Sequence, residues 1–470
     1  MKKHILALLT ALSLSGPALA VTNASYPSPT LNNVTVVGAG TFGGKSVSDP
    51  TLMGFITANE TMTVCASGCQ YTDPLVAFNA AIGTARFNPN TLITLQIGDG
   101  TYTVTNQFYT ECACGHFLNI IGDTANPAAV VLNFTNIAGD NFGGFVATAG
   151  GNIGLIDGMT LNGVGAIASE TATDTYWVPQ SYGGGISASA GAYIGLGPHM
   201  FINHFYYSVV ADNSAIVNAW QGGVTATDAG DVNFMARGNG TIICNNCHAI
   251  RAVDTTPAQV AAGGALGENY DSERGGSMYI DGSTGSSSHN SCVWALTNGK
   301  AWAHAVTCSG GLGGNGNGYG AITGGSIEAT GATITGYAYG AYAAAGGVLD
   351  LSAVHISNSS LDGILSSPGG YINLSGTSVA GTTSGDQVVA DSGQISGYNL
   401  TVTNTASGKF SLHSLHGGNM TVSNSCATVA GCPGSMIASD PAGSSSYTPS
   451  GGTATAIPGA SYAASSLYLN

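Results

Sequence analysis

The sequence predicts an all-β protein, a single-stranded parallel β-helix with one capping helix near its N-terminus. Three observations lead there. Only 7% of the 470 residues are charged, while Gly alone contributes 71; long surface helices need stripes of Glu, Lys and Arg that this chain lacks. Late in the chain, "TGGSIEATGATITG", "AGGVLDLSAVHISN", "PGGYINLSGTSVAG" and "DSGQISGYNLTVTN" align, with a glycine at Gly325, Gly347, Gly370 and Gly393 and a strand residue at Ile334, Ile356, Val379 and Val402. Both markers step by 22, 23 and 23 residues, and Val422 reads as a shortened further copy. Short strands and Gly/Asn turns at that period make a solenoid, whose single coils bury their inward residues only by stacking. Finally, one stretch alone has helical spacing.

The elements follow in order. "MKKHILALLTALSLSGPALA" has two lysines, an apolar core and a small-residue site ending at Ala20, the form of a secretory signal over 1–20. No later apolar run is long enough to span a bilayer. Residues 21–72 form a Pro/Gly-punctuated lead-in with one strand expected at Val34–Val37. Asp73 is a suitable N-cap and Pro74 a suitable first residue for a helix over 73–87, with Leu75, Phe78, Ile82 and Ala85 on one face to cover the first coil. The solenoid then runs to about residue 425, with glycines supplying positive φ at its corners. A Ser/Gly/Pro-rich tail, extended or loose, occupies 426–470.

The opening segment carries a resemblance. "LVAFNAAIGTA", then "ITLQIGDGTYTV", then "FLNIIGD" with "AVVLNF" is similar to the start of the pectin lyase-like right-handed β-helix proteins. That superfamily includes pectate lyases, pectin methylesterases, polygalacturonases and phage tailspikes. The likeness implies a right-handed coil over about 60 residues at the start, and it leaves activity open because one fold hosts many functions. The paired aspartates and Gly-His-Gly of polygalacturonases are missing. "AGDVNFMARGNG" has a methylesterase flavour, but Asn233 stands where the acid would be.

The charges then narrow the function. Without the leader, 7 basic residues face 24 acidic ones, so no basic stripe exists to bind nucleic acid. Glu268, Asp271, Glu273, Arg274 and Asp281 crowd into 14 positions, with Asp228, Asp231, Arg237, Arg251 and Asp254 shortly before. This section breaks the repeat, which reads as a loop elaboration on the side of the solenoid. In "CVWALTNGKAWAHAVTC" the period of two puts Val293, Ala295, Ala301, Ala303 and Ala305 on the inner face and Trp294, Trp302 and His304 outside. The site expected from these patterns has Asp271, Glu273 and Arg274 as catalytic groups. Trp294, Trp302 and His304 bind substrate, all along one side spanning 268–304.

The partner expected is a polysaccharide or cell-surface glycan, with a lyase or glycoside hydrolase of acidic glycans as the sharp reading. The alternative is a non-enzymatic surface adhesin or tailspike-like structural protein. The sequence specifies no cofactor and no metal ligands; Ca²⁺ is the cation a lyase would use. "CNNCH" at Cys244–His248 matches a haem-attachment pattern but reads better as a local disulfide. Ten cysteines in an exported chain imply five disulfides. Cys244 is expected with Cys247, Cys292 with Cys308 and Cys426 with Cys432, while Cys65, Cys69, Cys112 and Cys114 pair across their two couples. A monomer is expected, with a trimer the alternative, in a secreted, periplasmic or cell-surface location.

Overall fold

The computed structural model describes residues 41–42, 45–46, 58–83, 91–112, 117–135, 142–168, 176–178, 183–255, 267–311, 316–403, 409–425, 437–439 and 444–449. The leader, the strand expected at 34–37, Ala85, Arg86, Cys114, Cys426 and Cys432 lie outside them.

The chain coils through three parallel sheets of 15, 12 and 13 strands, each strand pairing with its counterparts in the preceding and following coils. One coil runs from Ile93–Ile97 in the 15-stranded sheet through Gly100–Val104 in the 12-stranded sheet to Phe108–Thr110 in the 13-stranded sheet. Parallel strands joined by crossovers take a right-handed course. Burial alternates as a solenoid demands: Ile93, Leu95 and Ile97 point in, Thr94 and Gln96 out. Among the described residues the one α-helix is Pro74–Gly83. The Asp73 carboxylate accepts the Leu75 and Val76 amides at 2.7 and 3.3 Å, which caps it. Ala77, Phe78 and Ala81 are buried against the first coils, with Leu75 and Ile82 packed at the edge.

The repeat markers prove to have separate causes. Ile334, Ile356, Val379 and Val402 stand in register in the 12-stranded sheet and are all buried. Val422 does not extend this column; it pairs with Gly397 in the 15-stranded sheet. The recurring glycines serve close approach rather than positive φ. A Cβ at Gly325, Gly347 or Gly370 would lie 2.0–2.2 Å from a carbonyl oxygen of the preceding coil. The residues just before them, Gly324, Gly346 and Gly369, carry the positive φ of the corner, at +77°, +84° and +77°.

Two further expectations change. Glu268–Glu273 is a regular strand of the 13-stranded sheet, not a side loop. The coil spacing breaks because residues are inserted before it, while Tyr270 and Ser272 fill the inward places. Cys65 pairs with Cys69 within its own couple, across a turn that brings their Cα atoms to 5.5 Å. Gly68, at φ +83°, makes that turn. Cys112 is also disulfide-bonded. Cys244–Cys247 and Cys292–Cys308 join as expected, and all four residues are buried in the coil. At the far end Ile437–Ser439 and Ser444–Pro449 pair onto the last strands, so the tail segment contributes to the stack.

No cysteine lies between Gly310 and Ser425, so stacking alone holds those coils. Full reduction is therefore expected to leave hydrogen-exchange protection of residues 317–403 within experimental error of the oxidised protein. Loss of that protection would show that the disulfides hold the whole stack.

Candidate functional site

The site is built on the outer face of the 13-stranded sheet. Its strand Glu268–Glu273 pairs with Val232–Arg237 on one side and Ser291–Leu296 on the other. Tyr270 and Ser272 point into the coil, so Asp271 and Glu273 point out, on successive outward positions about 6.7 Å apart along the strand. Register places Met235, Asp271, Trp294 and Gly320 in one column, with Arg237, Glu273 and Leu296 in the next.

Asp271 is outward yet only 5% exposed, and its Oδ1 is buried without a hydrogen-bond partner. Burial pushes its carboxyl well above the usual carboxylate range. The charges of Glu273 and Asp231 push it further, against a smaller opposing pull from Arg237 and Arg274. Such a group holds its proton where ordinary carboxylates have lost theirs. Glu273 lies 3.7 Å from the Arg274 guanidinium, which stands in solvent at 68% exposure. Arg237 Nε lies 3.1 Å from Asp212, and its guanidinium sits 5.8 Å from the centre of the Tyr207 ring. The Tyr207 hydroxyl is bonded to Asp231; burial first, then the Asp231 charge, raises its pKa. Asn290 donates to Glu268 at 2.7 Å.

Trp294 has its expected outward direction but is 8% exposed, because its ring lies down across the neighbouring coil. A Cβ at Gly320 would fall 2.0 Å from Trp294 Cζ3, so the missing side chain at 320 makes room for the indole. Gly320→Ala is expected to lift the ring off the sheet, read as a red-shifted, more quenchable tryptophan emission with the fold retained. An unchanged emission would show that the ring does not depend on that space.

Of the residues expected on one side, the structure brings together Asp271, Glu273, Arg274 and Trp294. Trp302 and His304 fall elsewhere. Trp302 belongs to Lys300–Trp302 of the 15-stranded sheet and stacks face to face on Tyr279, with centroids 4.5 Å apart and planes at 3°. That stack takes one ring face, and the carboxylate-bearing Glu328 stands in register on the other side. His304 follows at the corner, its amide bonded to Asp281 and its Nδ1 buried without a partner. The period of two separated inner from outer residues as far as Ala303; Ala305, expected inside, is exposed, because the strand ends at Trp302 and Ala305 turns the corner at φ +53°. The period carries no information on which sheet a strand joins.

Tyr207, Asp212 and Asp231 complete the site from earlier coils. Asp231 and Arg237 were visible in the sequence as charges, and the coil-to-coil spacing is the signal that links them to Asp271. Tyr207 gives no such signal. The sulfurs of Cys244 and Cys247 are joined to each other, which leaves none for haem, and His248 Nδ1 lies 2.9 Å from Thr284 Oγ1. Among the described residues no three His, Cys, Asp or Glu side chains are arranged to hold a metal ion.

No protein-family model matches the chain, and no curated protein sequence matches it. Solved structures do. One is the catalytic domain of a GH87 α-1,3-glucanase in complex with tetrasaccharides, at 13% identity over 78% of this chain and 66% of that one, with a TM-score of 0.43. Another is such a domain in complex with nigerose, at 14% identity over 78% and 66%, with a TM-score of 0.45. A third is the catalytic unit of a thermostable GH87 α-1,3-glucanase from Streptomyces thermodiastaticus strain HF3-3, at 14% identity over 82% and 69%, with a TM-score of 0.37. The chain thus spans about two-thirds of the length of the first two. In its three-sheet parallel coil it is similar in fold to the pectin lyase-like β-helix proteins that its opening segment resembles.

Proposed function

We propose that this protein is an exported polysaccharide-handling β-helix that hydrolyses glycosidic bonds on the outer face of its 13-stranded sheet. The observation that carries the reading is the buried Asp271 carboxyl with an unpartnered Oδ1, beside a second carboxylate on the next outward position. A carboxyl that stays protonated is the acid a leaving glycosidic oxygen needs, and a neighbouring carboxylate activates the water. Asp271 gives its proton to the oxygen as the bond to C1 breaks. Water adds at C1, and its proton passes to Glu273. Arg274 beside Glu273 and Arg237 in register with it hold that carboxylate in place. Trp294 offers its ring to the apolar side of a sugar.

The local charge favours an uncharged glycan over an acidic one. With Asp271 protonated, Asp231, Glu268 and Glu273 still outnumber Arg237 and Arg274, and each arginine already faces a carboxylate. A lyase acting on uronates needs a free cation beside the substrate carboxylate, which this column does not offer. A leader over 1–20 and the disulfides Cys65–Cys69, Cys244–Cys247 and Cys292–Cys308, with Cys112 bonded as well, fit an oxidising, extracytoplasmic setting.

The test is incubation with α- and β-linked neutral glucans, mannans, chitin and polygalacturonate, following reducing ends and unsaturated products separately. New reducing ends from a neutral glycan, without unsaturated product, support the reading. Retention without cleavage of any glycan would favour the adhesin alternative, and unsaturated products would replace hydrolysis with elimination. Trp294→Ala is expected to weaken retention of the cleaved glycan by about 1–2 kcal/mol, measured by affinity electrophoresis. Unchanged retention would move the sugar contact away from that ring.

A further inference from the structure

A second group of side chains lies on later coils, outside the column of Asp271. Asp362 Oδ1 accepts the Asp386 amide at 2.8 Å, and Asp386 Oδ1 accepts the Phe410 amide at 2.7 Å. The two carboxyls therefore sit on successive coils at one corner leading into the 13-stranded sheet. Gly385 lets them approach, since a Cβ there would lie 2.4 Å from Asp362 Oδ1. The other oxygen of Asp386 lies 2.6 Å from His413 Nδ1, with both side chains largely covered at 15% and 17% exposure. The Phe410 ring packs on the His413 imidazole with centroids 4.5 Å apart.

This arrangement has a direction. Both Asp386 oxygens are engaged, so Asp386 orients His413 and leaves the imidazole Nε2 as the reactive edge. Burial raises Asp386, but the bonds from His413 and Phe410 and the charges of His413 and Lys409 outweigh it and hold the carboxyl below the usual range. Asp362 goes the other way. Burial raises it, and the Asp386 charge adds to that against the pull of the Asp386 amide, Lys409 and His413. Asp362 Oδ2 and His413 Nε2 make no hydrogen bond among the described residues. Tyr339, whose hydroxyl is raised first by burial and then by the Asp362 charge, closes the far end of the row.

We propose that Asp362, His413, Phe410 and Tyr339 form a second binding site, for a neutral hydroxyl-bearing ring such as a sugar. Asp362 Oδ2 and His413 Nε2 meet its hydroxyls, and Phe410 and Tyr339 flank its apolar side. The site is separate from the Asp271 column. His413 stands six coils along the same outward row, through Trp294, Gly320, Tyr342, Leu365 and Val389. At about 4.8 Å per coil that is about 29 Å; Asp362, on the fourth coil, is about 19 Å away and Tyr339, on the third and nearest, about 14 Å, so a sugar held between Asp362 and His413 does not reach Asp271. The inference does not depend on Asp271 being catalytic.

The experiment is histidine-selective NMR on the full chain, titrated with the methyl glycosides of glucose, galactose, mannose and N-acetylglucosamine. His413 is assigned by His413→Gln. At least one glycoside is expected to shift the His413 signals saturably, equally in the wild-type protein and in Asp271→Asn. Asp362→Ala is expected to weaken that titration about tenfold, the loss of one hydrogen bond to a polar ligand, while Asp362→Asn stays within about threefold of wild type. His355 and His416, on neighbouring coils, report whether each variant keeps its fold. No movement of His413 with any of the four probes would overturn the proposal. Equal titration of wild type, Asp362→Ala and Phe410→Ala would overturn it as well. If Asp271→Asn proves to have no effect on turnover while His413 still titrates, the catalytic reading fails and this one stands.

Discussion

Asp271→Asn is expected to lower glycan turnover by about 10²–10⁴-fold while leaving glycan retention intact. The amide keeps the shape of the side chain and has no proton to give to a leaving oxygen. The same substitution is expected to stabilise the protein in a pH-dependent way. The folded-state pKa of Asp271 lies well above its ordinary value, because burial and the Glu273 and Asp231 charges oppose ionisation. Stability from a raised carboxyl is fully present below its unfolded pKa and is lost as pH rises through the folded one. Asparagine is neutral throughout, so its melting temperature should exceed that of the wild type by a margin that grows with rising pH. Full turnover in the variant, or a margin that shrinks with pH, would remove Asp271 from the role of acid.

The second large effect lies in the core. Phe108→Ala is expected to cost about 3–5 kcal/mol. Phe108 is fully buried, stacked on Phe145 at 4.4 Å and met edge-on by Phe78 and Phe134 at 5.3 and 6.0 Å. Phe78 comes from the capping helix, so this cluster ties the cap to the first coils. Each coil of a solenoid touches mainly its neighbours, and damage stays local. Hydrogen exchange should therefore rise over 60–135 and stay unchanged over 348–403. A uniform rise along the chain would mean that the stack unfolds as one unit.

These residues also show how far the sequence could be read. The coil was legible because its inward residues obey a strict period of two and its close-approach glycines recur every 22–23 residues. The capping helix was legible from Asp73 and Pro74, local signals that act within one turn. The candidate site was legible as to residue type: Asp271, Glu273, Arg274 and Trp294 converge. It was not legible as to sheet, because Trp302 lies one strand further round the coil, and a one-strand step changes the face entirely. The insertion before Glu268 hid the strand by breaking the spacing. The Cys65–Cys69 bond was missed because pairing depends on how the turn at Gly68 folds back, which composition does not reveal.

Asp271 is expected to hold its proton in the folded protein at pH values where ordinary carboxyls have lost theirs. Infrared spectroscopy tests it directly, comparing wild type with Asp271→Asn at neutral pH for the C=O stretch of a protonated carboxyl. The wild type should show a band that the variant lacks and that persists to pH values where ordinary aspartates are ionised. Absence of that band in the wild type, or its loss on the same titration as the surface carboxylates, would show that Asp271 ionises like an ordinary carboxyl and is not the acid.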